Sequence, residues 1–219
     1  MDCIYCCKPC IKKGIKNKVQ TYYCKGWFKY QRTNSVPDKI KKEQKFWIIK
    51  YNNEGMSIRS MGRILKLSPS SVVRMLRFIS GTIQKPVLAE QNKEYEIDEL
   101  CTYIGKNVPS NYCWITYAIN RKTKQVVNWF VGKRTKENLA KVVNSVLVLH
   151  PIRIYTDGLT IYKSLIPDSL HRVQSFKINH IERLNLTLRT RIKRLSRKTI
   201  CFSKSVTMLA ACLQIYFWG

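Results

Sequence analysis

The stretch Tyr95-Glu96-Ile97-Asp98-Glu99-Leu100-Cys101-Thr102-Tyr103 decides how the chain is read. Its aromatic and β-branched content predicts a strand, set between a polar connector with Gly81 and Pro86 and the turn residues 105–111. Residues 112–119 and 126–131 repeat that character across a second turn at 120–124, so three consecutive strands in a meander are expected. The period then becomes helical over 136–149, with Leu139, Val142, Val143, Val146 and Leu147 as the apolar positions, until Pro151 ends it. Residues 152–156 form a short buried strand closing on Asp157-Gly158, and 179–196 predict a helix with the stripe Ile181, Leu184, Leu188, Ile192 and Leu195. The apolar end, 208–218, is too short to span a bilayer and reads as a core helix. The fold class is therefore α/β.

Three acids fall at the ends and middles of these elements: Asp98 in the first strand, Asp157 after the fourth, and Glu182 in the helix. Strand ends and the first turn of a nearby helix bring carboxylates from distant sequence into one cleft. Such a trio suits two divalent metals ~4 Å apart, one serving the nucleophile and the other the leaving oxygen. Oxygen donors favour Mg²⁺ or Mn²⁺ over zinc. Taken singly, each acid reads equally well as a solvated or paired carboxylate, and Asp157 as a turn residue. On the helix, positions 182, 185, 189 and 193 share a face, which groups Glu182 with Asn185, Arg189 and Lys193 beside Arg194. That face suits metal binding next to a phosphodiester; a solvated basic face is the alternative.

The 219 residues carry 40 Lys+Arg against 13 Asp+Glu, a formal net charge of +27. With 45% hydrophobic residues the chain is globular, not a disordered basic tail. Such an excess points to a polyanion, DNA or RNA before an acidic membrane. The halves on either side of Asn92 are similarly basic, +14 and +13. No secretory signal is present at the N-terminus, so a cytoplasmic protein is expected.

Nine cysteines, five of them in the first 24 residues, suit metal binding better than a disulfide scaffold. Cys3-x2-Cys6 and Cys24 match three positions of a zinc ribbon. Trp27 stands where the fourth cysteine belongs, leaving Cys7 or Cys10 as replacements, or a decayed site.

Between 34 and 39 a linker with Pro37 leads to helical segments. Ser57 is a plausible N-cap for a short helix with Ile58, Met61 and Leu65 on one face. After a turn at 67–70, Ser68 caps a second helix with Pro69 in first position. Val72, Val73, Leu76 and Ile79 face inward, while Ser70, Ser71, Arg74 and Arg77 face outward as a DNA-reading surface. A helix-turn-helix is expected, with plain core packing of a helix pair as the alternative.

Tyr22-Tyr23-Cys24-Lys25, Ile97-Asp98-Glu99, Gly132-Lys133-Arg134-Thr135 and Tyr155-Thr156-Asp157-Gly158 carry a resemblance. With them goes the long run from His180 through Glu182, Asn185 and Arg189 to Ser205. Together they resemble the transposases of the insertion sequence 1 family. The resemblance implies a zinc-ribbon-like segment (1–33), a helix-turn-helix (38–80) and a ribonuclease H-like catalytic domain (93–219). It implies Asp98, Asp157 and Glu182 as the acidic triad and Arg189 as the basic residue following the glutamate. It also selects Asp98 over Glu99, which strand alternation does not. The implied activity is metal-dependent 3′-end cleavage and strand transfer by a dimer or larger assembly on DNA, in the bacterial cytoplasm on the nucleoid. A catalytically inactive repressor of the element is the alternative. A tyrosine recombinase is a third reading, opposed by tyrosines that sit in apolar strands.

Overall fold

The computed structural model describes residues 2–3, 9–16, 19–26, 28–32, 42–86, 90–173, 179–196 and 201–219. The chain divides into two compact units, Met1–Lys45 and Phe46–Gly219. In the first, strands β1 (Ile11–Lys16), β2 (Val19–Cys24) and β3 (Lys29–Arg32) form an antiparallel sheet in the order β1-β2-β3. The expected linker at 34–39 lies outside the described residues.

The helices α1 (Lys42–Asn53), α2 (Ile58–Leu65) and α3 (Pro69–Thr82) follow. Both expected caps are present: Ser57 Oγ accepts from Ser60 N–H and Ser68 Oγ from Ser71 N–H, each at 3.1 Å. Pro69 occupies the first turn of α3. The inward face of α3 is Val72, Met75, Leu76 and Ile79. Met75 is therefore buried where Val73 was expected, and Val73 is only half-buried.

The second sheet is mixed, with strand order β6-β5-β4-β7-β8. The meander consists of β4 (Glu94–Tyr103), β5 (Tyr112–Asn120) and β6 (Val126–Gly132), all antiparallel. Helix α4 (Lys136–Leu147) crosses over to β7 (Arg153–Thr156), which pairs parallel to β4 with Glu96 opposite Tyr155. A short helix α5 (Thr160–Lys163) and a strand β8 (His171–Val173), parallel to β7, were not foreseen. They hold too few residues to show a period.

Helix α6 (Asn179–Arg191) ends five residues before the expected limit, and α7 (Val206–Trp218) closes the chain. After Arg191 the backbone tightens into a 3-10 turn at Lys193–Leu195. Ile192 and Leu195 continue the apolar stripe into the core beyond the helix proper.

Each sheet face is covered. Tyr95, Ile97, Ala118 and Ile154 pack with α4 and with Tyr162 of α5. Leu100, Ile115, Tyr117, Ile119 and Tyr155 pack with Ile181 and Leu188 of α6 and with Leu209 and Leu213 of α7. Strand β4 is thus central and buried on both sides, which places its carboxylates within the protein. Residues 46–53 of α1, with α2 and α3, share this unit with the sheet. Asn52 Nδ2 donates to Cys212 O at 3.0 Å, and Gln214 Nε2 to Ile83 O at 2.9 Å. No helix among the described residues is long and apolar enough to cross a membrane.

Candidate active site

Parallel pairing of β4 and β7 brings the end of β7 alongside the middle of β4. Carboxylate oxygens of Asp98, Glu99 and Asp157 consequently lie within 4.8 Å of one another. Asp98 leaves β4 on the α6 side. Its Oδ1 accepts from Glu99 N–H at 2.7 Å and its Oδ2 from Asn185 Nδ2 at 2.6 Å. Burial pushes the Asp98 carboxyl up, and the charges of Asp157 and Glu182 push it further, against the two hydrogen bonds. A site that crowds negative charge in this way is relieved by a cation. Asp157 follows β7 directly, and its Oδ1 accepts from Leu159 N–H at 3.0 Å, which fixes the carboxylate in a tight local turn.

Glu99 leaves β4 on the opposite face and is committed elsewhere. It accepts from the Tyr162 hydroxyl and, through Oε2, from Arg134 Nε at 3.1 Å and Nη2 at 2.8 Å. Burial is the main cause that raises its carboxyl as well. Arg134 also reaches to 3.9 Å from Asp157 Oδ2 and lies 4.4 Å over the Trp114 ring. Arg134 and Tyr162 were not singled out as site residues from sequence. The one available signal was the cationic segment Gly132-Lys133-Arg134 after a strand.

Glu182 sits in the first turn of α6 and is exposed. It lies outside the close group of three, although its charge is felt at Asp98. Asn185 spans inward: its Oδ1 accepts from the Tyr117 hydroxyl at 2.7 Å while its amide holds Asp98. The side chain expected on DNA is thus bonded to a carboxylate of the site. Arg189 bonds two backbone carbonyls, Leu195 O at 3.2 Å and Cys101 O at 3.1 Å, tying the turn after α6 to β4. Lys193 and Arg194 belong to that turn and not to the helix, because α6 stops at Arg191. Lys193 is exposed, and Arg194 is half-buried, its charge opposing the rise that burial gives the Cys212 thiol.

Ser70, Arg74 and Arg77 are exposed on α3, and Ser71 is half-buried. The Ser70 and Ser71 hydroxyls lie 2.9 and 2.8 Å from that of Ser68. In the N-terminal unit, the sulfurs of Cys3, Cys10 and Cys24 come within 4.8 Å of one another. Cys6, Cys7 and Trp27 lie outside the described residues.

Comparisons with known proteins bear on this geometry. Residues 94–217 match the family model described as IS1 transposase. Insertion element iso-IS1n protein InsB of Shigella dysenteriae is 38% identical over 111 residues, which are 51% of this chain and 83% of that protein. Insertion element IS1 4 protein InsB of Escherichia coli strain K12 is 35% identical over 143 residues, 65% and 79% of the two chains. Among solved structures, a chain from the cryo-EM structure of the simian T-cell lymphotropic virus intasome in complex with PP2A regulatory subunit B56 gamma is similar. The TM-score is 0.40 at 11% identity, over 75% of this chain and 66% of that one, a likeness too slight to carry an argument. The family match takes in β4, β7 and α6, and with them every carboxylate of the site: the chain belongs to the IS1 transposase family.

Proposed function

We propose that the protein is a DNA transposase that binds the ends of its insertion sequence, cleaves their 3′ ends and joins them to target DNA. The observation that carries this reading is the convergence of Asp98 and Asp157, from separate strands, to within 4.8 Å. The electrostatic reach of Glu182 to Asp98 supports it. A central antiparallel meander joined through a helix to a parallel strand, with carboxylates on β4, after β7 and on α6, supports a ribonuclease H-like catalytic domain.

The donor set fits hard divalent cations. Asp98 and Asp157 offer oxygens in a crowded anionic cleft, and Glu182 adds a third carboxylate from α6. Bound there, Mg²⁺ or Mn²⁺ would lower the charge barrier to attack on a phosphodiester and steady the leaving oxygen. The protein's own contribution is positioning. Asn185 orients Asp98, the local turn orients Asp157, and Arg134, held by Glu99, offers a cation beside the same cleft.

The helix pair α2–α3 reads as a helix-turn-helix, presenting Ser70, Ser71, Arg74 and Arg77 to element ends. Cys3, Cys10 and Cys24, with Cys6 as a further donor, read as a zinc site, since clustered thiolates are zinc's preferred ligands. Lys193 and Arg194 read as contacts to the DNA backbone. Two ends must be held at once, so a dimer or larger assembly on DNA follows, acting on the nucleoid in the bacterial cytoplasm. The position of Glu182 outside the close group favours one second reading, a DNA-binding repressor without catalysis.

Incubating the full chain and duplex DNA carrying the element ends with Mg²⁺ tests the proposal. Nicks that leave 3′-hydroxyl ends, vanish on chelation and form no covalent protein–DNA adduct are expected. Binding without nicking would instead establish the repressor, and a trapped adduct would establish tyrosine chemistry.

A further inference from the structure

Glu96 stands on β4 two residues before Asp98, hence on the same face, and its side chain is fully buried. Three donors converge on its carboxylate. Oε2 accepts from Ile181 N–H at 2.9 Å, while Oε1 meets His180 Nδ1 at 2.8 Å and Arg121 Nε at 3.2 Å. His180 and Ile181 immediately precede Glu182 in the first turn of α6. Amides of a first helical turn lack partners within the helix, and negative charge is favoured beside them.

A second tie lies one turn further along. The Tyr117 hydroxyl of β5 is 2.7 Å from Asn185 Oδ1 and 3.3 Å from Ile181 O, and Asn185 in turn holds Asp98. The helix is therefore pinned to the sheet on both sides of Glu182. Enclosing a carboxylate carries a desolvation penalty that its partners must offset, and an apolar residue would fill the same space without it. A carboxylate here is explained by what it holds.

We propose that Glu96 is a positioning residue whose carboxylate clamps the first turn of α6 to β4 and thereby sets Glu182 opposite Asp98 for divalent-cation binding. This inference rests on the reading of Asp98, Asp157 and Glu182 as one metal centre.

The test is a mutant cycle in the full chain: wild type, Glu96→Gln, Glu182→Gln and the double variant. Mn²⁺ binding is read directly from the electron paramagnetic resonance of the free ion, and nicking of end-bearing DNA is titrated with Mg²⁺. Glu96→Gln is expected to weaken Mn²⁺ binding and raise the Mg²⁺ requirement about 10–100-fold, with DNA binding unchanged. In the Glu182→Gln background it should add nothing. Wild-type Mn²⁺ binding and Mg²⁺ requirement in Glu96→Gln, or the same loss in both backgrounds, would overturn the clamp. If Glu182→Gln itself binds Mn²⁺ and nicks like wild type, the metal-centre reading fails and the clamp falls with it. His180→Ala, at a partly exposed position, repeats the test should Glu96→Gln not fold. A severalfold shift in the same direction supports the clamp, and no shift overturns it.

Discussion

Asp98 and Glu99 are adjacent on a strand that is covered on both faces, so their side chains enter different environments. Asp98 meets Asn185 and the charges of Asp157 and Glu182; Glu99 meets Tyr162 and Arg134. Both carboxyls are raised, chiefly by burial, and both therefore bind protons more tightly folded than unfolded. Stability from these two groups is fully present below their unfolded values near pH ~4 and is lost as pH rises through the raised folded values. Urea denaturation of the metal-free protein from pH 4 to 7 should show this component as a decline that Asp98→Asn reduces; equal slopes in the two proteins would contradict it. Strand alternation in the sequence could not choose between these acids, because a strand buried on both faces has no solvent side to mark the outlier. The family resemblance made the choice; in the structure Glu99 accepts from Tyr162 and Arg134 and Asp98 from Asn185 and the Glu99 amide, and both carboxyls feel the charge of Asp157.

At the scale of elements, the caps and periods were the legible features. Ser57, Ser68 and Pro69 stand where their chemistry placed them, and the strands of the meander agree with expectation to within a residue or so. The illegible features were tertiary. Helix α6 stops at Arg191 because Arg189 and Ser196 bond the carbonyls of Leu195 and Arg189 around a 3-10 turn, and no local residue announces that stop. Lys193 consequently leaves the face it was expected to share with Glu182. Strand β8 escaped notice because three residues show no alternation. The junction of α1 and α2 illustrates how such constraints act. Gly55 has φ +71°, and a Cβ there would stand 2.0 Å from Arg191 O at the end of α6. Gly55→Ala should destabilise the protein by about 1–3 kcal/mol, from backbone strain and the displaced carbonyl together. Chemical denaturation measures this, and an unchanged midpoint would show that the contact is not made.

Across the whole molecule, the charge of +27 is the background against which a few acids are proposed to carry the chemistry. The sequence announced a polyanion partner through that excess. It announced the site only through acids placed at a strand middle, a strand end and a helix start, since spacing alone cannot say which carboxylates meet. The fold supplies the missing step by running β7 parallel to β4, which sets Asp157 level with Asp98. Cys3, Cys10 and Cys24 are likewise gathered by folding in the other compact unit, with Cys10 among the three. The central claim is that Asp98 of β4 and Asp157 after β7 would hold a divalent cation that supports DNA cleavage. The direct measurement is the rate of Mg²⁺-dependent nicking of end-bearing DNA by Asp157→Ala beside wild type, at matched DNA binding. Loss of metal-assisted charge stabilisation worth several kcal/mol predicts a fall of at least about 10³-fold; nicking at the wild-type rate would contradict the account.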